Sequence, residues 1–107
     1  MVGVKGNKNI KKVLTTKKRL KSTDLTIGYS NLQDNQKHYL IIISKKVLKK
    51  ANRRNKLRRR IKNILILNQN LFTKYDTALV KVEKSSLLYM TYKDLNTLIL
   101  DKFAKLA

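Results

Sequence analysis

Tyr39-Leu-Ile-Ile-Ile-Ser-Lys-Lys-Val-Leu-Lys-Lys-Ala-Asn-Arg-Arg-Asn-Lys-Leu-Arg-Arg-Arg-Ile-Lys-Asn-Ile-Leu65 is the stretch in which the hydrophobic period of this chain changes. Tyr39 to Ile43 is a continuous apolar, β-branched run, which suits a central strand covered on both faces. Beyond it Leu57, Ile61, Ile64 and Leu65 recur at i, i+4, i+7 and i+8, the apolar stripe of a long helix. Val47 and Ala51 extend that stripe backwards. A strand feeding a long amphipathic helix is therefore the centre of the fold.

The polar side of this helix has one sign. Between Lys45 and Lys62, eleven of eighteen residues are basic and none is acidic: Lys45, Lys46, Lys49, Lys50, Arg53, Arg54, Lys56, Arg58, Arg59, Arg60 and Lys62. Arg54, Arg58 and Lys62 follow at i, i+4 and i+8 and stack along one face. Like charges at this spacing cost a helix about 0.2–0.5 kcal/mol per pair, a cost that a bound polyanion removes. Guanidinium groups grip phosphate oxygens with two parallel donors, which an ammonium does not. Asn55 adds a donor and an acceptor suited to a sugar hydroxyl or a base edge. The bland alternative, a solvated face serving solubility, does not account for the arginine clustering.

Working outward, residues 1–9 mix Gly, Asn and Lys without periodicity and read as a mobile basic arm. Ile10, Val13 and Leu14 mark one side of a short helix, and Lys17 to Lys21 a basic connection. Leu25, Ile27 and Tyr29 alternate with polar residues as a half-buried strand does. Asn31 to Gln36 is turn chemistry. Ala78, Val80 and Val82 mark another strand. Thr91-Tyr-Lys-Asp94 has the form of a capping box, opening a helix with Leu95, Leu98, Ile99, Phe103 and Leu106 on its buried side. The order α-β-β-α-β-α gives an α+β fold, helices on a small sheet, within one domain spanning residues 1–107.

Composition narrows the partner. Twenty-six Lys and Arg against six acids give a formal charge of +20 over 107 residues. Self-repulsion of that size opposes compaction unless an anionic partner compensates. Twenty of the basic residues are lysines, so the position of the arginines is the more telling signal: five of six fall between Arg53 and Arg60. The absence of cysteine removes disulfides, thiolate metal sites and cysteine nucleophiles. Met1 to Lys12 is basic without a long apolar run, unlike a secretory signal, and the run Leu40 to Ile43 is far short of a membrane span. A soluble, cytoplasmic protein is expected.

The residues from Ile43-Ser-Lys-Lys46 through Val47-Leu-Lys-Lys-Ala-Asn-Arg53 to Arg54-Asn-Lys-Leu-Arg-Arg-Arg-Ile-Lys62 resemble the signature of the bacterial ribonuclease P protein component. That family reads as a strand ending in Ser/Ala-Lys-Lys, a short basic linker containing Ala, then Arg-Asn-x-x-Lys-Arg-x-x-Arg on a helix. Arg54 and Asn55 fall on the Arg-Asn pair, Arg59 on the later Arg, and Arg58 and Lys62 exchange Lys and Arg while keeping the charge. Tyr75-Asp-Thr-Ala-Leu-Val80 is similar to the strand that follows the basic helix.

The resemblance implies a small mixed four-stranded sheet with a left-handed β-α-β crossover. It also implies a subunit that binds ribonuclease P RNA and helps position the 5′ leader of precursor tRNA. The RNA, with its Mg²⁺, would carry the phosphodiester hydrolysis, and the protein itself would hold no cofactor. The family lines its leader cleft with two phenylalanines where this chain has Ile10 and Leu14. Tyr29 is either a base-stacking platform beside them or a core strand residue.

Nothing in the chain reads as a catalytic site of its own. A two-metal nuclease needs clustered carboxylates, whereas Asp24, Asp34, Asp76, Glu83, Asp94 and Asp101 are scattered. Asp76 suits a turn or cap, His38 a surface position beside a turn, and Gly3, Gly6 and Gly28 form no phosphate-cradling motif. Two rival classes fit the composition: a ribosomal or other structural RNA-binding protein, and a membrane-surface protein using a basic amphipathic helix. The latter is disfavoured because the helix lacks Trp and Phe and its apolar stripe is needed for the core. Clustered cationic charge binds small anions in the folded state, so sulfate should raise the melting temperature. A melting point indifferent to sulfate would show the charges to be dispersed.

Overall fold

The computed structural model describes residues 1–106. Five strands and three α-helices follow in the order β1 (Val2–Gly3), α1 (Asn7–Leu14), β2 (Arg19–Lys21), β3 (Leu25–Ser30), β4 (His38–Ile42), α2 (Ala51–Leu67), β5 (Thr77–Val82) and α3 (Tyr92–Leu106). Short 3₁₀ turns, Gln69–Leu71 and Ser85–Tyr89, lead into β5 and α3. The strands form one mixed sheet in the order β1-β4-β5-β3-β2. β1, β4 and β5 run parallel, and β3 and β2 antiparallel to their neighbours. Because β4 and β5 are adjacent and parallel, the chain must cross over between them, and α2 is that crossover.

Register explains the core. Ile41 lies opposite Val80, which lies opposite Ile27, and Tyr39, Ala78 and Tyr29 form the next row. Side chains alternate across a sheet, so these rows share one face. That face receives α2, packed along β4 and against α3, and α3, packed over β3 and β2. Leu57, Ile61, Ile64 and Leu65 of α2 and Leu95 and Ile99 of α3 are fully buried there. The opposite face carries Thr26, Gly28 and Leu79 and is covered by α1, whose Val13 is fully buried. A Cβ on Gly28 would stand 3.3 Å from both the Lys18 carbonyl oxygen and Thr16 Cγ2. Glycine is what lets the α1–β2 connection pass this close, where Thr16 Oγ1 also donates to the Tyr29 carbonyl at 2.6 Å.

Several sequence expectations need correction. The sheet has five strands and not four. Val2–Gly3, assigned to a mobile arm, joins β4 through Val2 N to Lys37 O and Val4 N to Tyr39 O, both 2.9 Å. α1 starts at Asn7, inside that same segment. The basic connection contains β2, an edge strand whose Arg19 and Lys21 are exposed. Two- and three-residue strands have no period to detect, and charged residues are what edge strands use to deter foreign pairing. Burial is also exchanged between two strands. β3, read as half-buried, is buried at all six positions because β5 and β2 flank it and helices cover both faces. β4, read as fully covered, is only partly so, because its outer neighbour β1 is two residues long. α2 starts at Ala51, after a turn that includes Val47.

The β3–β4 connection is stapled at its base by Asp76. This carboxylate accepts hydrogen bonds from Leu32 N and Gln33 N at 2.9 Å and from Thr77 Oγ1 at 2.7 Å, and Asn31 Oδ1 accepts from Asp76 N at 2.9 Å. His38, expected at the surface, is buried at 7% exposure, because Asp34 folds over it with an oxygen 2.7 Å from Nε2. Burial alone would raise the Asp76 pKa, but the hydrogen bonds from Thr77, Leu32 and Gln33 and the nearby His38 ring outweigh it and hold the carboxyl below its ordinary 3.8. Such a group stabilises the fold above its unfolded pKa, and the contribution is lost as pH falls from 3.8 through the lower folded value. Asp76→Asn should therefore lower stability at neutral pH by about 1 kcal/mol. In thermal melts its deficit against wild type should shrink once the pH drops under 3.8; a deficit constant with pH would contradict this.

Candidate nucleic-acid interface

α2 enters the structure with its charges uncompensated. Its N-terminus has no side-chain cap and no acid in the first turn, so the partial positive charge of the helix end adds to the lysines preceding it. Lys45, Lys46, Lys49 and Lys50 are exposed on the segment leading in. Among the described residues the carboxylates that meet a basic side chain are Asp34 at His38, Glu83 at Lys81 and Asp24 at Lys102, and none meets a basic residue of α2. The site is a cationic surface held rigid by the four aliphatic side chains beneath it.

The twelve candidate residues do not act alike. Arg54, Arg58 and Lys62 run along the flank toward β4, where Lys62 Nζ sits 5.8 Å from the centre of the Tyr39 ring. Arg53 and Arg60, seven residues apart and so on one side of the helix, occupy the other flank. Asn52, Asn55, Arg58 and Arg59 line a shallow depression open to solvent, with Arg58 Nη1 donating to Asn55 Oδ1 at 3.0 Å. Arg54 is half-buried and donates to the Leu48 and Lys49 carbonyls, both at 2.8 Å, pinning the chain that enters the helix. Arg60 is also half-buried and donates to the Leu88 carbonyl at 3.0 Å, while Arg53 donates to Tyr89 Oη at 3.2 Å. Two of the arginines thus hold backbone; Arg58, equally half-buried, holds only the Asn55 side chain, and Lys56, Arg59 and Lys62 are exposed. Spacing along the helix does not reveal the roles of Arg53 and Arg60, because Leu88 and Tyr89 lie far along the sequence.

The three leader residues are not brought together. Ile10 and Leu14 are half-buried on α1, beside Val13. Tyr29 points to the opposite face of the sheet and is only 5% exposed. Its ring stacks on Tyr75 at 4.9 Å and 8° and meets Phe72 and Phe103 at 5.8 and 5.0 Å. Burial raises the pKa of its phenol, and Tyr75 adds to the effect. Of the two roles considered for Tyr29, the core role is the one the fold builds. On the α1 side the same strand presents Thr26 and Gly28, with no aromatic ring.

The carboxylates are also dispersed. Asp24 is held by Ser22 Oγ and Leu25 N at 2.8 Å each and by Lys102, Asp76 by the β3–β4 connection, and Asp34 by His38. Among the described residues no three His, Asp or Glu side chains converge on a point where a metal would sit.

The sequence matches the ribonuclease P family model over residues 2–107. The chain belongs to the ribonuclease P protein family. That membership makes it the protein subunit of a ribonucleoprotein endonuclease that processes tRNA 5′ ends, with an RNA partner in the holoenzyme. The fold agrees. It superposes on the Staphylococcus aureus RNase P protein with a TM-score of 0.77 at 16% identity, covering 95% of this chain and 92% of that one. A mutant of the S. aureus protein with defective mRNA degradation activity gives a TM-score of 0.75 at 16% identity, covering 95% and 85%. No curated protein sequence matches the chain significantly.

Arg58→Ala and Arg59→Ala should each weaken RNA binding several-fold at low salt and reduce the salt slope by about one, with melting temperatures close to wild type. Arg54→Ala and Arg60→Ala should also lower stability, by about 1 kcal/mol, because each leaves backbone carbonyls without a donor. Fluorescence anisotropy across a salt series, paired with thermal melts, separates the two groups. Equal stability losses in all four variants would contradict the division.

Proposed function

We propose that α2 docks the subunit onto the catalytic RNA of ribonuclease P, and that the α1 side of the sheet helps position the 5′ leader of precursor tRNA. The observation that carries this reading is the group of Arg58, Arg59 and Lys62, none of them paired with a carboxylate among the described residues, on a helix whose other side is fully buried. A planar guanidinium meets a phosphate with two donors, and each phosphate neutralised releases counterions. Lys45, Lys46, Lys49, Lys50 and Lys56 extend the contact along the RNA backbone. Asn55, held by Arg58, offers its amide N–H donors to a ribose hydroxyl or a base edge.

For the leader, α1 presents half-buried Ile10 and Leu14 with exposed Lys8, Lys11 and Lys12 around them. Aliphatic side chains stack on bases less well than the family's aromatic pair, so charge carries more of the leader contact here. Hydrolysis, in this reading, is performed by the RNA with Mg²⁺ ions it holds itself. The protein's part is to bind, orient and screen repulsion between two polyanions. This places it in the cytoplasm, with the RNA it serves.

Reconstitution is the direct experiment. Added to a bacterial ribonuclease P RNA at low Mg²⁺, the wild-type chain should raise kcat/KM for precursor tRNA cleavage. Arg58→Ala/Arg59→Ala should recover only part of that gain. Absence of stimulation by the wild-type chain would overturn the proposal.

A further inference from the structure

Tyr89 is, at 73%, the most exposed large hydrophobic side chain among the described residues. It closes the 3₁₀ turn Ser85–Tyr89 beside the basic helix, and two observations show that its place there is determined. Leu87 and Leu88, the residues just before it, are buried at 1% and 7% exposure and anchor the turn in the core. From α2, Arg60 Nη1 donates to the Leu88 carbonyl at 3.0 Å and Arg53 Nη1 to the Tyr89 hydroxyl at 3.2 Å. The ring is thus tethered at its base and at its tip while most of its surface faces water. The other exposed aromatic, Tyr92 at 40%, opens α3 three residues later.

A ring so placed has a specific use next to arginines whose remaining donors are open to phosphate. Base–aromatic stacking serves any nucleotide, because every base has a π-face, and it works best where cations follow the backbone on either side. Arg53, Arg60 and Lys56 supply that flank of charge. Resting on the docking of RNA to α2 proposed above, we infer that Tyr89 is a stacking platform for an unpaired nucleobase of the bound RNA. The tether preorganises the ring, so little order is lost on binding. Arg53 then has two partners in reach, the phenol oxygen and the phosphate of the stacked nucleotide.

The test separates ring, hydroxyl and charge. Tyr89→Phe keeps the ring and removes the bond to Arg53, whereas Tyr89→Leu keeps apolar bulk and removes the ring. Binding is measured to ribonuclease P RNA, and to two single-stranded probes of equal length, oligoadenylate and its abasic counterpart. Tyr89→Phe should bind the ribonuclease P RNA within about twofold of wild type, and Tyr89→Leu about 5- to 150-fold more weakly. Wild type should prefer oligoadenylate over the abasic probe, and Tyr89→Leu should lose most of that preference. An unchanged preference in Tyr89→Leu, or an equal loss in Tyr89→Phe, overturns the inference. Arg58→Ala, on the opposite flank, keeps the two readings apart. If it weakens both probes alike while Tyr89→Leu has no effect, docking on α2 stands and stacking fails. If neither variant changes affinity for ribonuclease P RNA, the docking itself fails.

Discussion

Burial of Leu57, Ile61, Ile64 and Leu65 against the sheet is the constraint on which the rest depends. Each such side chain contributes about 1.5–3 kcal/mol when removed from water. The opposing electrostatic cost is smaller. Between Arg53 and Lys62 six like-charge pairs stand at i, i+3 or i, i+4 spacing, each costing about 0.2–0.5 kcal/mol. The anchors outweigh the repulsion, so the helix is folded before RNA arrives and presents its charge in a fixed pattern. Function here is a consequence of one helix being apolar enough to be held and basic enough to be needed.

The same helix divides its arginines between two tasks. Arg54 and Arg60 are close enough to backbone carbonyls to donate to them, and those bonds fix the chain on either side of the helix. Among the described residues Arg58 and Arg59 donate to no backbone carbonyl, and Arg58 holds only the Asn55 side chain, so both keep donors for a ligand. A guanidinium has five donors, so an arginine that holds a carbonyl with one nitrogen retains others for phosphate. Structural and binding roles therefore overlap at the flank facing Ser85–Tyr89. At the β4 flank, the contact of Lys62 with the Tyr39 ring leaves its charge intact.

Away from α2, the sheet is specialised by face. One face carries the aliphatic rows and the aromatic group of Tyr29, Tyr75, Phe72 and Phe103, and it is closed by α2 and α3. The other is narrowed at Gly28 so that the chain leaving α1 can cross it closely. Asp76 ties the β3–β4 connection to the start of β5. Lys37 Nζ ties it to the first part of the α2–β5 connection, just past the C-terminus of α2, through the Gln69 and Phe72 carbonyls at 2.7 and 2.9 Å. The crossover that carries the basic helix is thereby fixed at its far end as well as along its buried side.

What the sequence determined by itself is what local order in a chain can encode. The period of Leu57 to Leu65, the density of one charge sign and the alternation of Ala78, Val80 and Val82 each depend on residues a few places apart. They identify α2, β5 and α3 and the family motif on Arg54 to Lys62. The tertiary structure alone decided which arginines hold and which reach. It buried Tyr29 and His38, recruited Val2–Gly3 and Arg19–Lys21 as strands, and placed Tyr89 against Arg53. Some of those outcomes depend on partners 28 and 36 residues distant, as for Arg60 with Leu88 and Arg53 with Tyr89. Such partners meet only once the chain has crossed from β4 to β5 and returned, and no periodicity records where that return places them.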